Sequence, residues 1–289
     1  RYHKVTGVQT CALPILKIYH YWVEKLGAIQ VGDSVQPTRV YGYSDISHED
    51  AEERAEWLLS QIQLRVNGEE TEWGYQERPI REEIVREFSP ENIVTRNRYG
   101  ALVLNSEKLV FIDVDANEIF SEPKFRFLGI PFGGGKPLTD PEILDRIRKV
   151  AARPEYREVT IRVYKTCAGY RLLLPRGGFE PGSEPMEKLM ADFNSDALYA
   201  QLCCAQHCYR ARLTPKPYRI GQSGIKAVWP TTPEHELRLN RWLERYQEKS
   251  EHFATCHYLE SLGPYIGKLD PVIGYHDEMT RAATTLPLA

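Results

Sequence analysis

The chain has 289 residues, of which 42% are hydrophobic and 27% are charged, and its formal net charge is −3. These values are typical of a soluble globular protein with one large domain, with or without an appendage. The sequence contains no run of about 18 apolar residues, so we expect neither a transmembrane helix nor a membrane partner. The small net charge does not indicate any class of partner.

The first fifteen residues do not resemble part of a folded domain. The segment VTGVQTCALPI, Val5–Ile15, matches the translation of a widely used sequencing-library adapter. It also lacks the continuous apolar core and the small-residue cleavage site of a signal peptide. We therefore expect residues 1–15 to be artefactual or disordered, and the true N-terminus to be missing.

Residues 16–95 are expected to form an N-terminal α/β part of the domain. The segment 39–46 is typical of a short strand that runs into polar turn residues. Ser47 is followed three residues later by Asp50, and this capping pattern, with the apolar spacing beyond it, predicts a helix to about Leu64. A second, short helix is predicted around residues 80–88.

Residues 96–231 carry the strands that we expect at the centre of the fold. Apolar runs at 101–104 and 109–114, joined by four polar residues, predict an antiparallel hairpin. Thr139, with Glu142 three residues later, predicts a helix that ends before Pro154. A second hairpin is predicted from two strands within residues 159–174.

The remaining segments are expected to be mainly helical. Residues 185–206 are predicted to form a helix, and residues 232–289 a C-terminal helical segment with one long helix from Thr232 to about Leu262. Adjacent strands are joined by short turns throughout the sequence. This pattern favours an α+β fold, with a mostly antiparallel sheet and helices packed on it, over a doubly wound parallel sheet.

Two aspartates end the apolar run LVFIDVD at residues 109–115. Side chains alternate across a strand, so Asp113 and Asp115 should point to the same face, with Cα atoms roughly 6.6 Å apart. Without a cation the two carboxylates would repel each other by about 3 kcal/mol at 5 Å and an effective dielectric constant of 20. Carboxylate oxygens are ligands that Mg²⁺ and Mn²⁺ prefer. The spacing therefore favours a divalent-metal site over two exposed acids at a strand end.

Several enzyme classes share this D-x-D pattern. Haloacid-dehalogenase-like phosphatases place Thr or Val two positions after it, where this chain has Asn117, and they carry the strand near the start of the domain. Metal-dependent glycosyltransferases also use D-x-D, and nothing near residues 113–115 excludes them.

Three segments together resemble archaeo-eukaryotic primases and primase-polymerases. The first motif of that family is an apolar strand ending in D-x-D, as in LVFIDVD. YKTCAGYRLLLP, residues 164–175, resembles the second motif, a turn followed by a strand that is often of the type S-G-G-Y-H-L-Y. YRIGQSGIK, residues 218–226, resembles the arginine-containing segment beyond the third motif. The resemblance covers roughly residues 99–226.

The resemblance implies an RRM-like palm that binds a divalent metal, a nucleoside triphosphate and a nucleic acid. Asp113 and Asp115 would be its catalytic metal ligands, on a central strand beside the hairpin at 159–174. Thr166 stands where the family has a serine and would bind the nucleotide or its phosphates. Arg171 replaces a phosphate-binding histidine, and we expect it to line the surface of the site and face the aspartates, where it can itself hold phosphate. The third motif should supply one more catalytic aspartate, for which Asp196 is the nearest candidate. Asp196 lies well before the basic segment, and this spacing leaves catalytic competence open.

Two stretches, 159–178 and 197–233, contain basic residues and no acid, whereas residues 45–91 have 14 acidic and 5 basic side chains. Local clusters of this kind favour an anion site, with solvated charged faces as the alternative. With the resemblance, they predict the following residues as ligands of triphosphate or template phosphates: Arg171, Arg210, Arg212, Lys216 and Arg219. One or two of the tyrosines among them are expected to contact a ligand base or sugar: Tyr99, Tyr164, Tyr170, Tyr209 and Tyr218.

The six cysteines are unevenly spaced, which favours a reducing compartment such as the cytoplasm over a disulfide framework. In CCAQHC, residues 203–208, two pairs of metal-ligating side chains lie one helical turn apart. The segment lacks the paired C-x₂-C motifs of structural zinc sites, so a partly buried helix face is favoured over zinc. A zinc site would draw on Cys203, Cys204, His207 and Cys208, with Cys256 or His257.

The sequence supports three functional hypotheses. The first is a metal-dependent nucleotidyltransferase-like protein that resembles primase-polymerases. The second is a catalytically inactive nucleotide- or nucleic-acid-binding module of the same fold, and the third is another D-x-D metal enzyme, a glycosyltransferase or a phosphatase. Proximity of Asp196 to both other aspartates would favour the first, a distant Asp196 the second, and a parallel nucleotide-binding sheet the third.

Overall fold

The computed structural model describes residues 16, 18–72, 79–119, 125–127, 130–132, 135–176 and 178–289, so the prediction for residues 1–15 lies outside the described part. In chain order, the helices and strands are β1 (Tyr21–Val31), β2 (Ser34–Ser44), α1 (His48–Val66), β3 (Glu83–Ser89), β4 (Asn92–Arg96), β5 (Leu102–Ser106), β6 (Val110–Asp115), β7 (Phe125–Phe127), β8 (Ile130–Phe132), α2 (Asp140–Ala151), β9 (Ile161–Thr166), β10 (Gly169–Leu174), α3 (Glu184–Asp192), α4 (Ala197–Gln206), β11 (Tyr209–Arg212), α5 (Pro233–Ser250), β12 (Cys256–Leu262) and α6 (Pro271–Thr280). Short 3₁₀ turns cover Ala116–Glu118 and Pro217–Ile220.

The named strands pair only in antiparallel fashion within the described residues. One four-stranded sheet has the order β12–β9–β10–β6, and a second has the order β11–β5–β4–β3. The hairpins β1–β2 and β7–β8 form separate two-stranded sheets. Together with the helices, this architecture confirms the predicted α+β class.

One large hydrophobic core joins the two four-stranded sheets. It contains fully buried side chains from both, such as Leu104 of β5 and Ile112 of β6. The helix α2 contributes Ile143, Ile147 and Val150, which recur at helical spacing on its buried face. Burying an Ile or Leu side chain stabilises the fold by about 1.5–3 kcal/mol, so this core fixes the relative position of the two sheets.

Local sequence signals placed several elements correctly. The helix α1 begins after Ser47, whose hydroxyl accepts a hydrogen bond from the Asp50 N–H at 3.1 Å. The helix α2 begins after Thr139, whose N–H donates to the Glu142 carboxylate at 2.8 Å. The strands β9 and β10 form the second predicted hairpin.

The strands β5 and β6 do not form the predicted hairpin with each other. β5 pairs with β4 and β11, whereas β6 pairs with β10 in the other sheet. Ser106 turns the chain between the sheets, because its hydroxyl accepts hydrogen bonds from the N–H groups of Lys108 and Leu109. Both strands are buried along most of their length, and such apolar runs carry no local signal for their pairing partner.

Three predicted helices also differ from the structure. Residues 83–89 form the edge strand β3, because pairing with β4 outweighs local propensity. The segment 185–206 is divided into α3 and α4 at Asn194, whose φ of 54° is left-handed. The long C-terminal helix ends at Ser250, where the Arg281 guanidinium donates to the Ser250 carbonyl, and β12 follows and pairs with β9.

The two four-stranded sheets draw strands from all three predicted parts of the chain. The strand β4 crosses the predicted boundary at residue 95, and the C-terminal segment contributes β12 to the sheet that holds β6. The central part therefore shares one sheet with the N-terminal part and the other sheet with the C-terminal segment. Among the described residues, no helix is both long and apolar enough to span a membrane.

Gly42 of β2 lies against the backbone of α1. A Cβ at this position would lie 1.8 Å from the Ala51 carbonyl oxygen. Gly42→Ala is therefore expected to displace α1 and to lower the free energy of unfolding by about 1–3 kcal/mol. Gly274→Ala is the control, because nothing lies within 4 Å of the added carbon and α6 should gain about 0.5–1 kcal/mol. Chemical denaturation measures both, and a neutral Gly42→Ala would contradict this packing.

Candidate functional site

The D-x-D pair lies at the end of β6, where this strand meets β10. Asp113 and Asp115 occupy the same face of β6, paired in register with Arg171 and Gly169 of β10. The pair therefore lies beside the β9–β10 hairpin, as the sequence predicts. The strand β6 is, however, an edge strand of its sheet and not a central one.

Gly169 allows the β9–β10 turn to approach the end of β6 closely. A Cβ on Gly169 would lie 2.0 Å from the Val114 carbonyl oxygen. The Ala116 N–H donates to the Ala168 carbonyl at 2.9 Å and holds this approach. The turn thereby brings Thr166 to the same cleft as the aspartates.

Asp196 joins the D-x-D pair from the loop between α3 and α4. Its N–H donates to the Asp113 carbonyl oxygen at 2.9 Å, so this loop runs along the free edge of β6. Its carboxylate caps α4 by accepting from the Tyr199 N–H at 2.6 Å. Asp113, Asp115 and Asp196 line one cleft of about 190 Å³, called the aspartate cleft below.

Arg171 faces the aspartates, as predicted, but its side chain is only 2% exposed and the expectation of a surface-lining arginine is wrong. Its Nε donates to Asp113 Oδ1 at 3.1 Å, and its Nη1 donates to the Arg212 carbonyl at 2.9 Å. Burial lowers the pKa of Arg171, but the Asp113 carboxylate and other neighbours raise it by more. A charged guanidinium is thus held against Asp113 inside the fold.

Three of the predicted basic residues line the aspartate cleft from β11 and the 3₁₀ turn after it, namely Arg212, Lys216 and Arg219. None of the three forms a salt bridge with a described residue. Arg210, on the same face of β11 as Arg212, does not line the cleft, because its guanidinium pairs with Glu82. The cleft therefore contains cations that lack a carboxylate partner within the described part of the chain.

Arg212 is the most constrained of these cations. Its Nε is buried and has no hydrogen-bond partner among the described residues. Burial and the charge of Arg171 lower the pKa of Arg212 to about 10, so the side chain is still protonated at neutral pH. Burial and the charge of Arg212 in turn lower the pKa of Lys216. An anion in the cleft would relieve this repulsion and could accept a hydrogen bond from the free Nε.

Tyr199 is a site residue that the sequence did not indicate. Its hydroxyl donates to the Phe111 carbonyl of β6 at 3.0 Å and accepts from the Arg210 N–H of β11 at 3.4 Å. It therefore links β6, α4 and β11 at the aspartate cleft, which it also lines. The sequence shows that Tyr199 follows Asp196 by three residues, but no local pattern predicts its contacts with β6 and β11.

The tyrosines predicted near the basic residues divide into two groups. Three are buried: Tyr164, Tyr170 and Tyr209. Tyr218 is 69% exposed and Tyr99 is 59% exposed. Tyr170 lines the aspartate cleft although it is buried, whereas Tyr99 and Tyr218 lie outside the cleft lining with their rings exposed to solvent.

The cysteine-containing segment 203–208 lies at the C-terminal end of α4. Cys203 and Cys208 are buried, and burial raises the pKa of each thiol to about 12. Buried neutral thiols of this kind are less reactive than exposed ones. In the described ranges, no three His, Cys, Asp or Glu side chains are grouped so as to hold a metal ion by themselves.

The aspartate cleft combines carboxylates, which suit Mg²⁺ or Mn²⁺, with guanidinium and ammonium groups, which suit phosphate. Arg210, although predicted as a site residue, lies outside the cleft. The other predicted catalytic and phosphate-binding residues line it: Asp113, Asp115, Thr166, Arg171, Asp196, Arg212, Lys216 and Arg219. A comparison of the chain with protein-family models, curated proteins and solved structures finds no match.

Proposed function

We propose that this protein is a metal-dependent nucleotidyltransferase of the primase-polymerase type, with an RRM-like palm that binds a nucleoside triphosphate and a nucleic acid. The observation that carries the proposal is the convergence of separate sequence motifs on the aspartate cleft. The D-x-D pair, Asp196 and the basic residues after β11 all line it. The segment that resembles the second motif contributes Thr166 and Arg171 to the same cleft.

The donor set of the cleft fits a divalent cation. Asp113 and Asp115 supply carboxylate oxygens, the donors that Mg²⁺ and Mn²⁺ prefer over softer ligands, and Asp196 lines the same cleft without forming a three-residue metal group with them. Asp113 and Asp115 would hold the ion, because both project from one face of β6. When bound, such an ion lowers the pKa of an attacking hydroxyl and neutralises charge on a leaving pyrophosphate.

The phosphate-binding role belongs to Arg212, Lys216 and Arg219 in this proposal. The buried Nε of Arg212 has no hydrogen-bond partner among the described residues, which supports that role, and a planar guanidinium can bind two phosphate oxygens at once. Arg171 is too buried to contact a triphosphate and instead orients Asp113. The family's histidine binds phosphate, whereas Arg171 at the same position would hold the metal ligand Asp113 in place.

The two alternatives are less well supported. A catalytically inactive binding module would be expected to place Asp196 far from the D-x-D pair, but the Asp196 backbone nitrogen lies 2.9 Å from the Asp113 carbonyl oxygen and its side chain lines the same cleft as the pair. A D-x-D glycosyltransferase or phosphatase would be expected to carry its aspartates on a parallel nucleotide-binding sheet, whereas β6 pairs with β10 in antiparallel fashion.

Exposed tyrosines support a nucleic-acid partner, and one of them, Tyr218, precedes Arg219 of the aspartate cleft. Tyr218 lies on the same 3₁₀ turn as Arg219. Tyr99 follows Arg98, whose carbonyl accepts a hydrogen bond from the Ala227 N–H at 2.9 Å. The chain that follows Tyr218 therefore contacts, at Ala227, the residue that precedes Tyr99. Aromatic rings next to cations are the usual means of stacking bases and tracking the backbone of a single strand.

Tyr218→Ala is expected to weaken binding of a single-stranded oligonucleotide by about 1–3 kcal/mol, the range for loss of one stacked base. The melting temperature should not change, because the side chain is mostly exposed. Tyr265→Ala is the control, since Tyr265 is 91% exposed and follows the end of β12 that is remote from Thr166. Fluorescence anisotropy with a labelled oligonucleotide measures both, and equal affinities would contradict the stacking role.

Nucleotide incorporation tests the proposed function. With Mn²⁺, a primed template and labelled nucleoside triphosphates, the protein is expected to extend the primer, and Asp113→Asn is expected to remove this activity. Triphosphate binding without incorporation would favour the inactive module. Turnover of a sugar nucleotide or a phosphate monoester, without incorporation, would favour the other D-x-D enzymes.

A further inference from the structure

The hairpin β1–β2 and the helix α1, called the N-terminal lobe below, pack around a small core of their own. Val40 and Ala55 are buried there, separately from the large core between the four-stranded sheets. The chain enters the lobe from Ile18, which is buried in a cluster with Ile93 of β4. His20 lies between this anchored residue and the start of β1, so it occupies the entry to the lobe.

The His20 imidazole lies between two carboxylates that belong to different parts of the fold. Its Nδ1 is 2.9 Å from Oδ1 of Asp45, in the turn between β2 and α1, and its backbone N–H donates to the same oxygen at 3.2 Å. Its Nε2 is 2.8 Å from Oε1 of Glu87 in β3, an edge strand of its sheet. The imidazole therefore links the N-terminal lobe to the edge of a four-stranded sheet.

Both distances are favourable only for the charged form of His20. A neutral imidazole carries one N–H, so its other nitrogen would direct a lone pair at a carboxylate oxygen, whereas the imidazolium carries an N–H on each nitrogen. The hydrogen bond with Asp45 has the largest effect and raises the pKa of His20 above its ordinary value of 6.5. Partial burial opposes this rise, and the charge of Glu87 adds to it.

A cavity of about 410 Å³ lies between His20 and residues 84–87 of β3. Its other ionisable lining residues, besides Glu87, are Tyr19 and Arg86. The Arg86 guanidinium lies over two aromatic rings, 4.6 Å from the ring centroid of Phe88 and 4.8 Å from that of Tyr275. Of the groups around this cavity, His20 is the one whose charge changes between pH 5 and 8.

We propose that His20 is a pH-sensitive clip, which docks the N-terminal lobe on β3 when the imidazole is protonated and loosens it when the imidazole is neutral. This inference does not rest on the proposed function. Because docking raises the pKa, the contribution of the clip is fully present below the ordinary value of 6.5 and is lost as the pH rises through the raised value.

The loosening is expected to be partial. Loss of one exposed ion pair should lower the equilibrium constant for docking about twofold to fivefold. A second contact does not depend on pH in this range, because the guanidinium of Arg81 lies 3.3 Å from the centroid of the Tyr41 ring and stays charged. The clip therefore changes the fraction of molecules with a docked lobe and leaves the fold of the lobe intact.

NMR titration of the histidine ring protons of the whole chain tests the protonation of His20. We expect a pKa above 6.5 in the parent and a lower one in Glu87→Gln, which removes the charge but keeps the shape of the side chain. His20→Gln identifies the resonance by its absence. Glu155→Gln is the matched control, since Glu155 is exposed in the turn after α2 and forms no ion pair with a described residue. It should leave the pKa of His20 unchanged.

The tumbling of the lobe tests docking itself. Nitrogen-15 relaxation compares backbone amides of α1 with those of β10 at about pH 6 and about pH 8.5, on either side of the range in which histidine titrates. We expect α1 to tumble with β10 at the lower pH and to show a shorter correlation time at the higher pH. His20→Arg should tumble with β10 at both, because its guanidinium stays charged and has donors for both carboxylates.

The following outcomes would overturn the clip: a His20 pKa at or below 6.5, a pKa that Glu87→Gln leaves unchanged, or a parent lobe that tumbles alike at both pH values. A His20→Arg protein that still loosens at the higher pH would overturn it as well. Both measurements are made without metal or nucleotide, so neither result affects the proposed function.

Discussion

Asp115→Asn is expected to lower the affinity for a nucleoside triphosphate with Mn²⁺ by about 100-fold or more. Loss of an outer partner of a metal ligand typically costs 10- to 100-fold, and loss of a ligand itself should cost more. The substitution keeps the shape of the side chain, and its amide oxygen can still accept from the Asn117 N–H, so the fold should be retained.

The control for this prediction is Asp145→Asn. Asp145 lies on α2 outside the aspartate cleft, where it pairs with Lys149 on the surface. Calorimetric titration with a non-hydrolysable triphosphate and Mn²⁺ compares the two variants. If both bind like the parent, Asp115 is not a metal ligand.

Arg171→Ala is expected to lower the free energy of unfolding by about 2–4 kcal/mol. The substitution removes a fully buried side chain and leaves the Arg212 carbonyl without its donor. Asp113 would lose its charge partner, but it is 38% exposed and can be hydrated, so the loss should fall below that of a fully buried pair.

Arg219→Ala is the matched comparison for stability. It removes a cation from the same cleft, but one that forms no salt bridge with a described residue, so stability should change by no more than about 0.5 kcal/mol. Urea denaturation followed by circular dichroism measures both variants. An Arg171→Ala protein as stable as the parent would contradict the buried pairing with Asp113.

Sequence signals were reliable where a few neighbouring residues decide the structure. Ser47 and Thr139 start helices because their side chains meet backbone groups or carboxylates three residues away. The alternation of a strand places Asp113 and Asp115 on one face whatever the strand pairs with. Each of these features depends only on residues that are neighbours in the sequence.

Contacts between residues far apart in the sequence determined the positions of side chains that local patterns could not predict. Alternation places Arg210 and Arg212 on the same face of β11, but only Arg212 reaches the cleft, because Glu82 binds Arg210. Arg171 was expected to line the surface of the site, yet the fold buries it against Asp113. A pairing of this kind depends on which strands become neighbours, and that choice is not encoded in any short segment.

The position of a metal ion tests the central claim most directly. A crystal of the protein grown with Mn²⁺ and a non-hydrolysable nucleoside triphosphate can be measured at the manganese absorption edge. We expect an anomalous peak in contact with the carboxylates of Asp113 and Asp115, with the triphosphate extending towards Arg212 and Arg219. A peak elsewhere on the molecule, or a triphosphate bound outside the aspartate cleft, would contradict the assignment of this site.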